Sequence, residues 1–416
     1  YCDFDIKGQW LNRKKRTRTY GTVKVSNISY KELPLEKGSL KVIVDEKKTR
    51  ITEINLFPPS GNVVGNFYFP RSSLNQPLIL GFDLSGEINP GHCKKAFGPV
   101  AEKALTRFDT NSTVKTVARG QVLLANDINQ SDNEDLTHFH IHATAHNPIR
   151  FSGIPLEYLS LDLQSSADRT HIEKLDFGIA GGRGSGTLLF REEQNGSELD
   201  IELSITKANR SSFVEIMTLS DAFSEDKNSS QQNPANDITD GILNLSLNAS
   251  GRPDEIWSFD GNGSLLVKDP ALHNVRIFSF LAEVIGKFPI FRPGKGLAKF
   301  LNVGFTELDS PFILSGERAI FNNLNLSGPT SLLVANGEIN LAKGLLDFEA
   351  RYHLLGNLPL VSKLTQLADP LSALSKIKIG GSFDEPKWTP KFRPGKAPLE
   401  VLFPDGLPPP RKPKGD

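Results

Sequence analysis

The sequence predicts a mainly β protein: an elongated, twisted antiparallel β-meander sheet curled into a groove, solenoid-like, with a few amphipathic helices in its C-terminal half. Three observations predict it. Apolar residues recur at every second position through most of the chain, as in Leu346, Phe348, Ala350, Tyr352 and Leu354, which alternate with Asp347, Glu349, Arg351 and His353. A period of two puts one set of side chains on one face of a sheet and the other set in water. Short polar breaks such as Ser315-Gly316-Glu317 and Ser327-Gly328-Pro329-Thr330 separate the runs, so successive strands pair antiparallel. Third, a unit of three strands with their turns, roughly 30 residues long, recurs loosely along the chain, as in a solenoid.

Taken in order, the alternation predicts strands at 22–27, 39–45, 50–57 and 62–69, then through Leu78, Leu80, Phe82, Leu84 and Ile88. Between 94 and 108 the spacing turns helical, and Pro99 requires the helix to start after it. Strands resume at 117–125, 137–145, 158–164 and 171–179, and 187–192 with 198–206 forms a hairpin. The stretch 1–219 is therefore read as an N-terminal β-rich groove segment. Residues 220–240 contain an eleven-residue run, 224–234, without an apolar side chain, and read as a flexible loop.

From 241 to 393 the strands return. Leu243, Leu245 and Leu247 are in phase, and 257–267 reads as one strand with Phe259, Leu265 and Val267 on its apolar face. Further strands are expected at 312–314, 324–326, 337–341 and 346–354. Two helices interrupt this region. One spans 270–285, with Asp269 as N-cap and Pro270 at the first helical position. The other spans 359–374, with Pro370 kinking it. Each has one oily stripe, suited to a sheet edge or a membrane surface. Residues 394–416 form a Pro- and Lys-rich tail.

Composition excludes some function classes. Lys plus Arg equals Asp plus Glu at 48 each, so no global field recruits nucleic acid or acidic substrates. Phe is abundant at 26, and the two cysteines, Cys2 and Cys93, pair only if the fold brings them together. No run of apolar residues is long enough to span a membrane as a helix. The chain opens on Tyr1 rather than Met, directly in a strand-like run, so we expect a signal or anchor upstream.

Candidate chemistry is sparse. His138, His140 and His142 share a strand face and in principle hold a metal, but no carboxylate or Cys stands at a fixed spacing, and they read as the polar face of a strand. The glycine-rich run 181–186 lacks the P-loop lysine and the GxGxxG order and precedes a strand, which makes it a hairpin or bulge. Arg13-Lys-Lys-Arg-Thr-Arg18 suits anionic head groups, and equally a solvated loop between strands. GxSxG, HExxH and EF-hand patterns are absent, so no enzyme, cofactor or metal is expected.

Between Asn244 and Trp388 the order of elements resembles the C-terminal region of the AsmA family. A strand and a Gly-x-Gly strand precede a Pro-initiated helix, then come Phe305-Thr-Glu-Leu308 and Phe312-Ile-Leu-Ser-Gly316. The run from Ile320 to Leu326, Gly337-Glu-Ile-Asn-Leu341 and a leucine-rich helix follow. Ile379-Gly-Gly-Ser-Phe-Asp-Glu-Pro-Lys-Trp388 is similar to the family's closing strand and turn. The resemblance implies an envelope protein of a diderm bacterium, facing the periplasm and anchored in the inner membrane by a helix upstream of this chain. It further implies a long curled sheet with a lipid-lined groove, as in the TamB-like members, a role in phospholipid transport and outer-membrane biogenesis, and no catalytic residues.

The residues support the same expectation independently. A few helices cannot cover the oily face of about twenty strands, so either a second sheet packs on it or acyl chains do. Moving a sixteen-carbon chain through water costs on the order of 12 kcal/mol, which an oily trough largely removes. The expected lining is Leu245, Leu247, Phe259, Leu265, Val267, Phe312, Leu314, Leu324, Leu326, Ile339, Leu341, Phe348 and Tyr352. Expected partners are phospholipid and the inner or outer membrane. The alternative is a scaffold that assists outer-membrane protein insertion, together with envelope assembly proteins, without carrying lipid.

Overall fold

The computed structural model describes residues 2–11, 16–30, 33–45, 48–59, 61–70, 78–93, 108–109, 112–125, 136–151, 153–166, 168–193, 196–219, 241–270, 272, 305–329, 331–354, 376–382 and 385–390. The expected helices at 94–108, 270–285 and 359–374, the loop 220–240 and the tail 394–416 lie almost wholly outside the described residues. The chain divides into two compact units, one of residues 1–237 with 246–256, the other of 238–245 with 257–416.

In the first unit, β1 (Cys2–Leu11), β2 (Arg16–Tyr30), β3 (Leu33–Val44), β4 (Lys48–Phe57), β5 (Asn62–Pro70) and β6 (Leu78–Ile88) each pair antiparallel with the next. The short helix α1 (Pro90–Cys93) and β7 (Phe108–Asp109) follow. β8 (Val114–Ala125) then pairs with β6, and β9 (His138–Ala145) with β8. β10 (Ile149–Phe151) and β11 (Ile154–Leu156) leave the main ladder and make a small sheet with β7. The ladder continues through β12 (Leu159–Ser166), β13 (Arg169–Ile179), β14 (Gly182–Glu193) and β15 (Gly196–Asn209), with β12 paired to β9. Helix α2 (Arg210–Leu219) closes the run, its Ser212 amide donating to Asn209 Oδ1 at 3.0 Å as an N-cap requires.

β16 (Ile242–Gly251) is shared between the units, which divide between Leu245 and Ser246. In the second unit, β17 (Asp260–Lys268), β18 (Glu307–Ser315), β19 (Arg318–Ser327), β20 (Ser331–Asn340), β21 (Leu345–Leu354), β22 (Lys376–Ser382) and β23 (Pro386–Pro390) pair antiparallel in chain order. Neither ladder closes into a barrel through a described pairing, and the protein is mainly β, as expected.

One expectation needs correction here. The run 257–267 is not one strand: Ile256–Ser258 is a 3₁₀ turn, and the strand begins at Asp260. The glycine-rich 181–186 is part of a hairpin, as expected: Ala180 (φ 52°) and Gly181 (φ 72°), both left-handed, make the two-residue turn into the strand that begins at Gly182.

Glycines facing aromatic rings set the spacing of several strands. In β20, Gly337 stands opposite Phe321 on one side and Phe348 on the other, and those two rings meet across it at 5.7 Å between centroids. A Cβ on Gly337 would lie 2.6 Å from Phe348 Cα, so any larger residue forces the strands apart. Gly380 in β22 has no such neighbour, its nearest atom standing 3.7 Å away. Gly337→Ala should therefore destabilise by about 1–3 kcal/mol, and lower the thermal midpoint by roughly 2–4 °C per kcal/mol. Gly380→Ala should stay within about 0.5 kcal/mol. Equal melting temperatures for the two variants would contradict this packing.

Candidate functional site

Alternation along every strand gives the first unit one apolar and one polar face, and register aligns them. Leu84, Ala118, Ile141, Leu163 and Ile172 stand opposite one another across β6, β8, β9, β12 and β13. Leu188 and Ile201 carry the row into β14 and β15. All seven side chains are only half-buried. A second row runs Phe67, Phe82, Gly120 and Phe139, with the Phe82 and Phe139 rings 6.4 Å apart over the glycine, and these phenylalanines too are half-buried.

At one end the same face is covered. Ala145, Leu159, Phe177, Ile179, Ile205 and Ala208 are buried. Ile149 of β10, Leu156 of β11 and Phe213 of α2 are buried as well, with α2 in contact with β11 and β15, and β11 in contact with β13. A cleft of about 300 Å³ opens beside this cap, between Pro148, Leu156, Ala180 and Ile216. Its one carboxylate, Glu157, accepts a hydrogen bond from the Gly181 amide at 2.6 Å, and its one hydroxyl is Ser212. No histidine or lysine is among the cleft's lining residues, and its carboxylate is engaged by the Gly181 amide.

The opposite face is laced by ion pairs: Arg119 Nε to Asp83 at 3.0 Å, and Arg191 to Glu198 at 3.1 Å and Asp200 at 2.8 Å. His138, His140 and His142 lie on this face. A carboxylate that spacing along one strand could not reveal stands beside them, since Asp162 of β12 is opposite His142 and its Oδ1 is 2.6 Å from His142 Nδ1. The other ring nitrogen of His142 is 3.2 Å from Thr144 Oγ1, so both are occupied. Among the described residues, no group of three or more His, Cys, Asp or Glu is arranged to share a metal ion.

In the second unit the apolar row is Gly263, Phe312, Phe321, Gly337, Phe348 and Ile379, with Phe312 and Phe321 5.9 Å apart. Of the residues expected to line a groove, Val267, Leu326 and Phe348 are buried. Leu245, Leu247, Phe259, Leu265, Phe312, Leu314, Leu324 and Ile339 are half-buried. Tyr352 is opposite Leu333 in register. Leu341 is not on a strand: it follows β20 in a turn, 38 % exposed, with its amide donating to Glu317 O at 2.7 Å. Phe321 was not anticipated, because a bulge at 322–323 breaks the alternation between it and Leu324. The half-exposed rows of the first unit were also missed as a site.

One polar cluster titrates away from its ordinary range. The hydrogen bond from Arg183 holds the Asp176 carboxyl below its usual value, with a further bond from Tyr158 Oη at 3.1 Å acting the same way. Burial and the neighbouring Asp176 push the Tyr158 phenol up. A carboxyl depressed in the folded state contributes stability above its unfolded pKa of about 4, and that stability is lost as pH falls through the folded value. Asp176→Asn should cost about 1 kcal/mol at neutral pH, and the difference from the native chain should shrink as pH falls below about 4. Thermal melts across that range check it; a pH-independent gap would contradict the pairing.

No protein-family model, curated protein or solved structure matches the chain.

Proposed function

We propose that the chain is a non-enzymatic lipid-handling protein, whose apolar sheet face holds phospholipid acyl chains while they pass between membranes. The observation that carries this reading is the half-buried row from Leu84 to Ile201, whose side chains are too exposed for a finished core. Seven strands at about 4.8 Å spacing make that row roughly 30 Å long, enough for an extended acyl chain. Bulges in the β3–β4, β4–β5, β12–β13 and β13–β14 pairings increase local twist and bend, as a sheet curled into a groove requires. Head groups stay in water at the rim, and the hydrocarbon slides along the row with no bond made or broken.

In this reading the resemblance of 244–388 to the AsmA family carries over as a proposal too. The chain works at the periplasmic face of a diderm envelope, in outer-membrane biogenesis, with phospholipid and the two membranes as partners.

The test is lipid analysis of protein purified without detergent, by native mass spectrometry. The native chain should carry phospholipid. Ile141→Glu with Leu163→Glu should reduce it about tenfold, a loss of roughly 1.4 kcal/mol in binding. Arg119→Glu, on the opposite face, should leave it unchanged. A lipid-free native chain that still binds outer-membrane barrels would favour the scaffold alternative; equal lipid in all three proteins would sink the assignment of the face.

A further inference from the structure

The apolar face of the first unit runs to the edge of its sheet. Register carries the row of Phe139, Gly120, Phe82 and Phe67 on through Ile51, Val42 and Gly21 to Ile6, in the middle of β1. Ile51 and Val42 are half-buried, like the phenylalanines before them. Among the described residues β1 pairs only with β2, through ten consecutive residues with no shift in register and no proline. Its outer backbone donors and acceptors are thereby ordered as a template for a further strand. The last strand of the second unit is built otherwise: β23 has five residues with proline at each end, a sequence that blunts a sheet edge.

The residues of β1 select the strand that fits this edge. Asp5 and Lys7 flank Ile6 on the polar face, 67 % and 65 % exposed and 3.4 Å apart. When two β1 strands pair antiparallel about Ile6, Asp5 of each copy stands opposite Lys7 of the other, and opposite charges stabilise such a cross-strand pair. A shift of two residues either way sets Asp5 against Asp5 or Lys7 against Lys7, and like charges directly opposite are destabilising. A shift of one residue opposes polar positions to apolar ones. The register that matches the charges also keeps the apolar row in line, because Ile6 then meets Ile6 across the join. A two-fold axis normal to the sheet relates the copies, so both apolar faces lie on the same side.

We propose that β1 pairs with β1 of a second copy of this chain, antiparallel and centred on Ile6, joining two sheets into one. The inference deepens the lipid-handling reading, since the apolar row then runs unbroken from one copy into the other, but its test does not depend on cargo. The full chain is followed by sedimentation velocity in reductant, which keeps the cysteines free. The native chain should form dimers at micromolar concentration. Asp5→Lys alone and Lys7→Asp alone should each weaken dimerisation about tenfold, with unchanged melting temperature. Asp5→Lys combined with Lys7→Asp in one chain should restore it, and so should mixing the two single variants, a rescue that a misfolded edge would not give. A monomeric native chain, or dimers indifferent to these charges, overturns the pairing. A dimer that carries no phospholipid upholds the pairing and sinks the cargo reading, whereas a lipid-loaded monomer does the reverse.

Discussion

Everything in this fold depends on a continuous antiparallel ladder in which apolar side chains occupy every second position. Such a ladder satisfies backbone donors and acceptors strand by strand, and it commits each strand's oily side chains to a common face. A one-residue slip anywhere would turn that set into water, so register is held tightly. The price of the arrangement is an apolar surface that grows with each added strand. In the first unit, described residues of a small sheet and one helix cover only the end where Phe177, Ile205 and Phe213 are buried. The middle of the face, around Ile141 and Leu163, keeps contact with solvent.

Glycine and phenylalanine share the work of fitting these strands together. Where a ring lies over a cross-strand glycine, as Phe177 does over Gly184, the ring fills the space a side chain would occupy, and the neighbouring strand gains a flat apolar cover. The Phe321–Gly337–Phe348 and Phe82–Gly120–Phe139 sets repeat the device in separate units. Bulges act on the same sheet differently. They shift register by one residue and restore the apolar phase beyond the shift, as between Phe321 and Leu324, and they add twist that a flat sheet lacks.

Much of this was legible in the sequence, because alternation is a local signal. The strand from Leu78 to Ile88 and the limits of β21 follow directly from it. What the sequence withheld depends on contacts between strands. Alternation marks Phe348 and Ile141 alike as inward, yet Phe348, against the Phe321 ring, is 6 % exposed and Ile141 is half-buried. Asp162 meets His142 only through the β9–β12 register, which passes over the small sheet between them. Helix α2 carries Asn209 as a cap signal, but at ten residues it is too short for its periodicity to stand out against flanking strands. Leu341 fits the strand phase by counting, and the turn after Asn340 removes it from the face.

The central claim is that one face of the first unit's sheet meets hydrocarbon while the other meets water. Neighbouring residues of β9 sample both, since Ile141 is on the apolar row and His140 on the polar face. The most direct measurement places a photo-crosslinking amino acid at 141 and, separately, at 140, irradiates cells producing each protein, and weighs the adducts. Phospholipid attached at 141 and absent at 140 is the predicted result. Adducts at neither position, or at both alike, would contradict the account.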